Sequence, residues 1–142
     1  MSETNVLQLY CDGACRGNPG LSAIGGVIYQ AGVTIEEISE LIGMATNNEA
    51  EYTALIRGLE VVGRLQSAGV GGARLEIFMD SELVVRQVEG RYKVKNERLR
   101  PLFLRVKELL ADFPGWSIHH VPRAKNAEAD RLANAAYSRS RA

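Results

Sequence analysis

The stretch Thr46-Asn47-Asn48-Glu49-Ala50-Glu51-Tyr52 decides the fold, because it begins the longest helix that the sequence predicts. Thr46 and Glu49 form the S/T-x-x-E pattern of a capping box, in which each side chain accepts a hydrogen bond from a backbone amide at the helix start. Apolar residues then recur at steps of three and four, as on a buried helix face: Ala50, Ala54, Leu55, Leu59, Val62 and Leu65. We predict a helix over residues 47–68, stopped by Gly69. Taken alone, Glu51 near its start is an ordinary solvated carboxylate.

The composition is that of an ordinary globular protein. Apolar residues make up 46% of the chain and charged residues 24%, which excludes disordered and fibrous classes. We expect residues 1–142 to form one domain. No apolar run is long enough to span a bilayer and residues 1–5 lack a signal-peptide core, so we expect a cytosolic (cytoplasmic) protein without a membrane partner. Cys11 and Cys15 are too few for a disulfide framework or a four-ligand zinc site, and we expect both to be reduced.

Five segments with alternating or continuous apolar residues predict strands, over residues 6–12, 24–30, 34–42, 74–79 and 116–121. Turn residues at 13–20, which include Gly-Asn-Pro-Gly, and Gly32 predict that the first three strands are antiparallel. Residues 34–42 also fit a short helix, and their position between Gly32 and Gly43 favours a strand.

The strand at 74–79 follows a long crossover helix, so it should run parallel to an earlier strand. Ser81, Asn96 and Asn126 are placed to cap three further helices, the last of them ending near Tyr137. The sequence therefore predicts an α/β fold, a five-stranded mixed sheet flanked by about four helices.

Four acidic residues fall where predicted elements begin or end. Asp12 lies at the far end of the first strand, Glu51 near the start of the long helix, Asp80 after the fourth strand and Asp130 in the first turn of the last helix. Structural acids are more often scattered over exposed faces. If these carboxylates converge, protons or cations must neutralise their repulsion, and hard oxygen ligands select Mg²⁺ or Mn²⁺. Two such ions can promote phosphodiester hydrolysis without a protein nucleophile.

Basic residues concentrate in one segment although the formal net charge is zero. Between Arg91 and Lys107 there are seven basic residues and one acidic residue, Glu97. This local charge is suited to a phosphate backbone, and it fits a solvated helix face equally well.

Five segments together carry a resemblance to a known family: Tyr-Cys-Asp-Gly-Ala-Cys-Arg-Gly-Asn-Pro-Gly (10–20), Thr-Asn-Asn-Glu-Ala-Glu (46–51), Met-Asp-Ser (79–81), Val-Lys-Asn (94–96) and Asn-Ala-Glu-Ala-Asp-Arg-Leu-Ala (126–133). In this order and spacing, the chain resembles type 1 ribonuclease H. The resemblance implies a ribonuclease H-like fold and hydrolysis of the RNA strand of an RNA/DNA hybrid, leaving 5′-phosphate and 3′-hydroxyl ends. It makes Asp12, Glu51, Asp80 and Asp130 the catalytic residues and the ligands of two Mg²⁺ ions, with Mn²⁺ as a substitute.

The resemblance also implies contacts in the minor groove of the hybrid. Asn18, Asn47 and Asn48 match residues whose amides can pair with the 2′-hydroxyl, which is both donor and acceptor. Cys15 lies where the family also touches the minor groove. Each asparagine has a local alternative, because Asn47 and Asn48 can serve a helix start and Asn18 can serve a turn.

A second implied contact is with a phosphate of the DNA strand. Thr46 and Asn96 match family residues that grip this phosphate, and Lys95 lies beside them. Contacts to phosphates set register without reading sequence, so cleavage should be largely sequence-independent. The alternative role of Asn96 is a helix cap only.

The chain departs from the family in its basic region. Many bacterial members insert a basic helix and loop where this chain has a short connection between residues 89 and 96. We expect weaker hybrid affinity or compensation by neighbouring cations, namely Arg91, Lys93, Lys95, Arg98 and Arg100. Arg100 stands where the family often has an aromatic residue, and Glu82 stands where many members have glutamine.

The last loop departs as well. Members with a longer loop place a mobile histidine before the last aspartate, whereas His119 and His120 here fall inside the last predicted strand. The loop offers Arg123 instead, which can hold a phosphate but cannot shuttle protons near neutral pH.

The leading hypothesis is a monomeric, metal-dependent ribonuclease that acts on RNA/DNA hybrids. One alternative is a broader nuclease that also cuts double-stranded RNA. Another is a non-catalytic nucleic-acid-binding module, which is disfavoured because a binder of phosphates gains nothing from clustered negative charge.

Overall fold

The computed structural model describes residues 5–72 and 74–139. It contains five strands: β1 (Val6–Gly17), β2 (Gly20–Gln30), β3 (Val33–Ala45), β4 (Arg74–Met79) and β5 (Gly115–His120). It contains four α-helices: α1 (Asn47–Ser67), α2 (Glu82–Val88), α3 (Arg100–Leu110) and α4 (Ala127–Arg139). A 3₁₀ turn (Arg123–Asn126) precedes α4. The predicted α/β fold is confirmed.

The sheet has the strand order β3-β2-β1-β4-β5. β1 pairs with β2 and β2 with β3 in antiparallel register, as predicted. β4 runs parallel to β1, and β5 runs parallel to β4. α1 provides the crossover from β3 at the edge of the sheet to β4, which lies on the far side of β2 and β1.

The predicted end of β1 at Asp12 is wrong. β1 continues to Gly17 and pairs with β2 down to Gly17 opposite Gly20, so the predicted turn over residues 13–20 shrinks to Asn18 and Pro19. β2 likewise begins at Gly20 and not at residue 24. Asp12 therefore lies in the middle of β1, and β1 extends beyond the end of β4.

Two glycines of this hairpin let helices approach the sheet from both sides. A Cβ atom on Gly13 would lie 2.5 Å from the backbone of Ala50 and Glu51 in α1. A Cβ atom on Gly25 would lie 2.0 Å from the carbonyl oxygen of Ala129 in α4. Side chains at either position would push a helix away, so these glycines serve close packing and not a turn.

The main core lies between the sheet and α1. Leu7, Leu9 and Cys11 of β1 are fully buried against Leu55 and Leu59 of α1. Burial raises the pKa of the Cys11 thiol well above its ordinary value. Within the described residues, no helix is long and apolar enough to cross a membrane.

Of the four predicted helix caps, Thr46 and Ser81 are confirmed, whereas Asn96 and Asn126 are not. Thr46 and Glu49 make both bonds of the capping box, with Thr46 Oγ1 accepting from the Glu49 amide at 3.2 Å and Glu49 Oε1 accepting from the Thr46 amide at 2.8 Å. Ser81 accepts from the Val84 amide at the start of α2. Asn96 does not cap α3, because that helix begins at Arg100 with proline in its first turn, the position that proline tolerates.

Candidate active site

Three carboxylates from different elements converge beside β1. One carboxylate oxygen from each of Asp12, Glu51 and Asp80 lies within 4.8 Å of the others. The register explains how the two aspartates meet, because Phe78 of β4 pairs with Tyr10 of β1. Asp80, two residues past Phe78, therefore lies level with Asp12. β4 has ended at this level, so the edge of β1 is open to side chains.

Glu51 is fixed by the close packing of α1 on β1. The Gly13 amide donates to Glu51 Oε1 at 3.0 Å. Glu51 Oε2 is buried and accepts no hydrogen bond from any residue in the described ranges. A buried carboxylate oxygen without a donor is costly, and such atoms call for an explanation in function.

Burial and repulsion oppose ionisation of the cluster. Burial, followed by the negative charges of Glu51 and Asp80, raises the pKa of Asp12 well above its ordinary value. Burial also raises the pKa of Glu51, and hydrogen bonds with Asp12 and the Gly13 amide partly offset that rise. Asp12 is only 5% exposed, so solvent does little to screen the repulsion. Without a cation, the cluster retains protons at neutral pH that isolated carboxylates would release.

Asp130 lines the same cleft from the α4 side. Ala129 packs on Gly25, which pairs with Asp12, so the next residue of α4 faces the cluster. Its carboxylate is not within the 4.8 Å group. We define the acidic cleft as the cavity of about 340 Å³ that these four carboxylates line together with Gly13, Ala14, Cys15, Arg123 and Asn134.

The donor set of the acidic cleft fits divalent cations that prefer oxygen ligands. The close group consists of three carboxylates, and the lining adds one thiol, Cys15, whereas zinc sites usually combine several thiolate or imidazole ligands. The unpartnered Glu51 Oε2 supplies a ligand atom that the described residues leave unused. A cation would also relieve the repulsion that raises the pKa of Asp12.

A second polar cavity lies at the start of α1. We define the amide pocket as the cavity of about 260 Å³ lined by Asn18, Thr46, Asn48, Asn96, Arg98 and Leu99. Four of the eight predicted substrate-binding residues line it. A fifth, Asn47, adjoins it, because its backbone amide donates to Asn18 Oδ1 at 3.0 Å. Asn96 orders the turn before α3 through bonds from the Arg98 and Leu99 amides to its Oδ1.

The remaining predicted contacts lie elsewhere. Cys15 and Arg123 line the acidic cleft. The Cys15 thiol donates to the Ala45 carbonyl at 3.1 Å, and Arg123 Nη2 lies 3.9 Å from Asp130 Oδ1 with its side chain 80% exposed. Lys95 is exposed and lines neither cavity. The predicted roles of these residues stay predictions.

Sequence reasoning missed Asn134, which lines the acidic cleft, and it missed the site roles of Arg98 and Asn126. Arg98 was assigned only to the basic segment, yet it lines the amide pocket. Asn126 was predicted to cap α4, and this is wrong: it closes the 3₁₀ turn and donates from Nδ2 to Cys11 O and Asp80 Oδ1. No local pattern reveals either placement, because both depend on which distant strand lies alongside.

Comparisons with known proteins agree with this geometry. The family described as reverse transcriptase-like matches residues 10–136. Ribonuclease HI of Halobacterium salinarum is 46% identical over 92% of this chain and 63% of its own length. Ribonuclease H of Methylococcus capsulatus is 33% identical over 94% of this chain and 91% of its own. The chain spans only 63% of the first of these relatives, and 33% of a bifunctional protein of Mycobacterium tuberculosis that it matches at 42% identity.

Solved structures show the same likeness. The crystal structure of RNase H1 from Halobacterium salinarum superposes with a TM-score of 0.87 at 43% identity, covering 94% of this chain and 98% of that one. LC11-RNase H1, solved in complex with an RNA/DNA hybrid, superposes with a TM-score of 0.89 at 41% identity, covering 96% of this chain and 99% of that one. With its sheet order, converging carboxylates and family match, the chain belongs to the type 1 ribonuclease H family.

Proposed function

We propose that this protein, acting as a monomer, hydrolyses the RNA strand of RNA/DNA hybrids with divalent cations, Mg²⁺ first and Mn²⁺ as a substitute. The observation that carries the proposal is the convergence of carboxylate oxygens of Asp12, Glu51 and Asp80 to within 4.8 Å of one another. Glu51 Oε2 is buried there and accepts no hydrogen bond within residues 5–72 and 74–139. Family membership and the hybrid bound to LC11-RNase H1 support the choice of substrate. The reaction adds water across the bond between phosphorus and the 3′ oxygen, leaving a 5′-phosphate and a 3′-hydroxyl.

The carboxylates of the acidic cleft would hold the cations, and they differ in their distance from one another. Asp12, Glu51 and Asp80 supply the close oxygen ligands, and Asp130 faces them from α4. Two divalent ions held there would activate the attacking water and stabilise the departing 3′ oxygen. The Gly13 amide keeps Glu51 directed into the cleft, so the ligand oxygens need little rearrangement when a cation binds.

The amide pocket is suited to a phosphate of the DNA strand. Thr46 and Asn96 supply neutral donors, and Arg98 adds a guanidinium that pairs with phosphate by charge as well as by hydrogen bonds. Such contacts set the register of the duplex without reading its sequence. Asn18 and Asn48, which line this pocket, and Asn47, which adjoins it, are exposed and carry amides suited to read 2′-hydroxyls in the minor groove.

The basic segment supplies free cations that compensate for the missing insertion. Among the described residues, no ion pair engages Lys93, Lys95, Arg98 or Arg100, and all four are exposed. Arg105 is unavailable, because it pairs with Glu60 and Glu108. Arg123 beside Asp130 contacts the phosphate at the cleavage site in this proposal, in place of a mobile histidine.

The proposal is tested by a panel of end-labelled duplexes of one sequence: RNA/DNA hybrid, RNA duplex, DNA duplex and single-stranded RNA. Each is incubated with the wild type in Mg²⁺ or in EDTA. We expect cutting of the RNA strand of the hybrid only, and none in EDTA. Comparable cutting of the RNA duplex would replace the proposal by a broader nuclease. Binding without cutting under all conditions would replace it by a binding module.

A further inference from the structure

Asn126 is a buried amide at the junction of the 3₁₀ turn and α4. Its exposed fraction is 1%. Nδ2 donates to the carbonyl oxygen of Cys11 at 3.0 Å and to Asp80 Oδ1 at 3.2 Å. One side chain thus ties the middle of β1 to the carboxylate that follows β4.

The orientation of this amide is fixed by its two acceptors. If the amide were reversed, its oxygen would face the Cys11 carbonyl and the Asp80 carboxylate, which repel it. In the observed orientation, Asn126 Oδ1 is buried and accepts no hydrogen bond from the described part of the chain. The donor end is satisfied while the acceptor end is not, so a contribution to stability alone accounts poorly for asparagine at this position.

Asn126 is close in sequence to two residues that line the acidic cleft. Arg123 begins the 3₁₀ turn that Asn126 ends, and α4 starts at the next residue. Asp130 follows in the first turn of α4. Movement of Asn126 would therefore displace both the aspartate and the arginine of the cleft.

We infer that Asn126 is a positioning residue, whose amide holds the Asp80 carboxylate toward Asp12 and Glu51 and so preforms the cleft for a divalent cation. Repulsion from the two neighbouring carboxylates would otherwise turn Asp80 outward to solvent, since its side chain is only partly buried. The inference rests on the proposed function in one respect, namely that the cleft holds a divalent cation.

The test compares Asn126→Ala and Asn126→Ser with Gln87→Ala. Gln87 is a matched control, because it is also a buried amide with two partners, Tyr52 Oη at 2.6 Å and the Lys93 carbonyl at 3.4 Å, and neither is a carboxylate. Mn²⁺ affinity is measured by isothermal titration calorimetry without substrate, and kcat and KM are measured on a hybrid in Mg²⁺. Thermal unfolding in EDTA reports stability separately.

For Asn126→Ala we expect Mn²⁺ affinity and kcat each to fall by about 10- to 100-fold, as for other residues that orient metal ligands. KM should change by less than about threefold, because most of the proposed phosphate contacts belong to the amide pocket and the basic segment, and Arg123 supplies only one of them. Asn126→Ser keeps one hydrogen-bond donor, so its Mn²⁺ affinity and kcat should fall less. Gln87→Ala should lower thermal stability only.

Wild-type Mn²⁺ affinity in Asn126→Ala would overturn the inference, as would equal losses in Gln87→Ala. Failure of both Asn126 variants to fold would assign the residue to stability and overturn it too. If the wild type binds Mn²⁺ but cuts no hybrid, the proposed function fails, and the calorimetric comparison still decides the role of Asn126.

Discussion

The acidic cleft and the amide pocket are both polar, and they are built on opposite principles. In the amide pocket, the polar groups satisfy one another: Thr46 and Glu49 exchange bonds in the capping box, and Asn18 accepts from Asn47. In the acidic cleft, carboxylates crowd together, and none of the residues that the structure describes donates to Glu51 Oε2. The pocket stabilises the free protein, and the cleft destabilises it until a cation binds.

This difference separates binding from chemistry. Groups that are satisfied in the free protein can hold a duplex without losing stability, whereas a strained ligand set is stabilised by the cation that performs the reaction. Substitutions in the two regions should therefore change the stability of the metal-free protein in opposite directions, and they should change activity by different amounts. The expected effects are largest for substitutions in the cleft and smaller for substitutions in the pocket.

The largest effect is expected for Glu51→Gln. Loss of one ligand charge should lower kcat by on the order of 10³-fold, since a bound cation supplies several kcal/mol of transition-state stabilisation. Hybrid affinity measured in EDTA should be unchanged or higher, because a negative charge is removed. Glu60→Gln on the same helix is the control and should cut normally. Cleavage by Glu51→Gln within tenfold of the wild type would show that the cleft does not carry the chemistry.

The next effect is a gain of stability in Asp12→Asn without metal. The raised pKa of Asp12 means that the folded state keeps a proton that the unfolded chain releases above about pH 4, so wild-type stability in EDTA falls as pH rises from 4 to 8. Asp12→Asn should escape this loss and melt at least about 5 °C higher at pH 8.

Two controls sharpen that prediction. The advantage of Asp12→Asn should vanish near pH 3, where the carboxyl is protonated in both states, and exposed Asp112→Asn should melt like the wild type. Mg²⁺ should raise the melting temperature of the wild type more than that of Asp12→Asn. Equal melting temperatures at pH 8 in EDTA would contradict the contrast between the two regions.

A smaller effect is expected for Arg98→Ala in the amide pocket. Loss of one phosphate contact should weaken hybrid affinity by about 3- to 10-fold and lower the slope of its salt dependence by about 1, with kcat unchanged. Arg64→Ala, with the same charge change in the last turn of α1, should keep the wild-type slope. A loss of kcat with normal affinity would place Arg98 in the chemistry instead.

The smallest effect is expected for Thr46→Ala. Loss of the capping bond should lower the free energy of unfolding by about 1 kcal/mol in urea denaturation. Hybrid affinity should fall as well, because the hydroxyl lines the amide pocket. Thr46→Ser should restore both quantities. A stability loss without any change in affinity would reduce Thr46 to a helix cap.

Much of the fold follows from local patterns. The capping box, the helical spacing after Ala50 and the crossover to β4 are short-range features, and the structure has each of them. The extent of β1 is different, because residues 13–17 resemble a turn in sequence. Gly13 and Gly25 are small because helices pack on them, and that reason is visible only when α1 and α4 are in place.

Prediction of the candidate site from the sequence meets the same limit. The four carboxylates could be singled out from the family motifs and from their predicted positions at element ends, although Asp12 in fact lies in mid-strand. Their separation could not be predicted, and Asp130 falls outside the close group. Asn126 bonds to Asp80 of the acidic cleft, and Arg98 lines the amide pocket beside Asn18 and Thr46, and both placements join residues that are far apart in sequence. Such placements depend on strand register and helix angle, which no local pattern specifies.

The central proposal for this protein is that the converging carboxylates perform cation-dependent cleavage of RNA in a hybrid. Its most direct test is cleavage of one RNA/DNA hybrid by the wild type and by Asp12→Asn in Mg²⁺, with the ends of the RNA products identified. We expect 5′-phosphate and 3′-hydroxyl ends from the wild type, and no detectable products from a variant that folds and binds the hybrid normally. Comparable Mg²⁺-dependent cleavage by Asp12→Asn would contradict the claim.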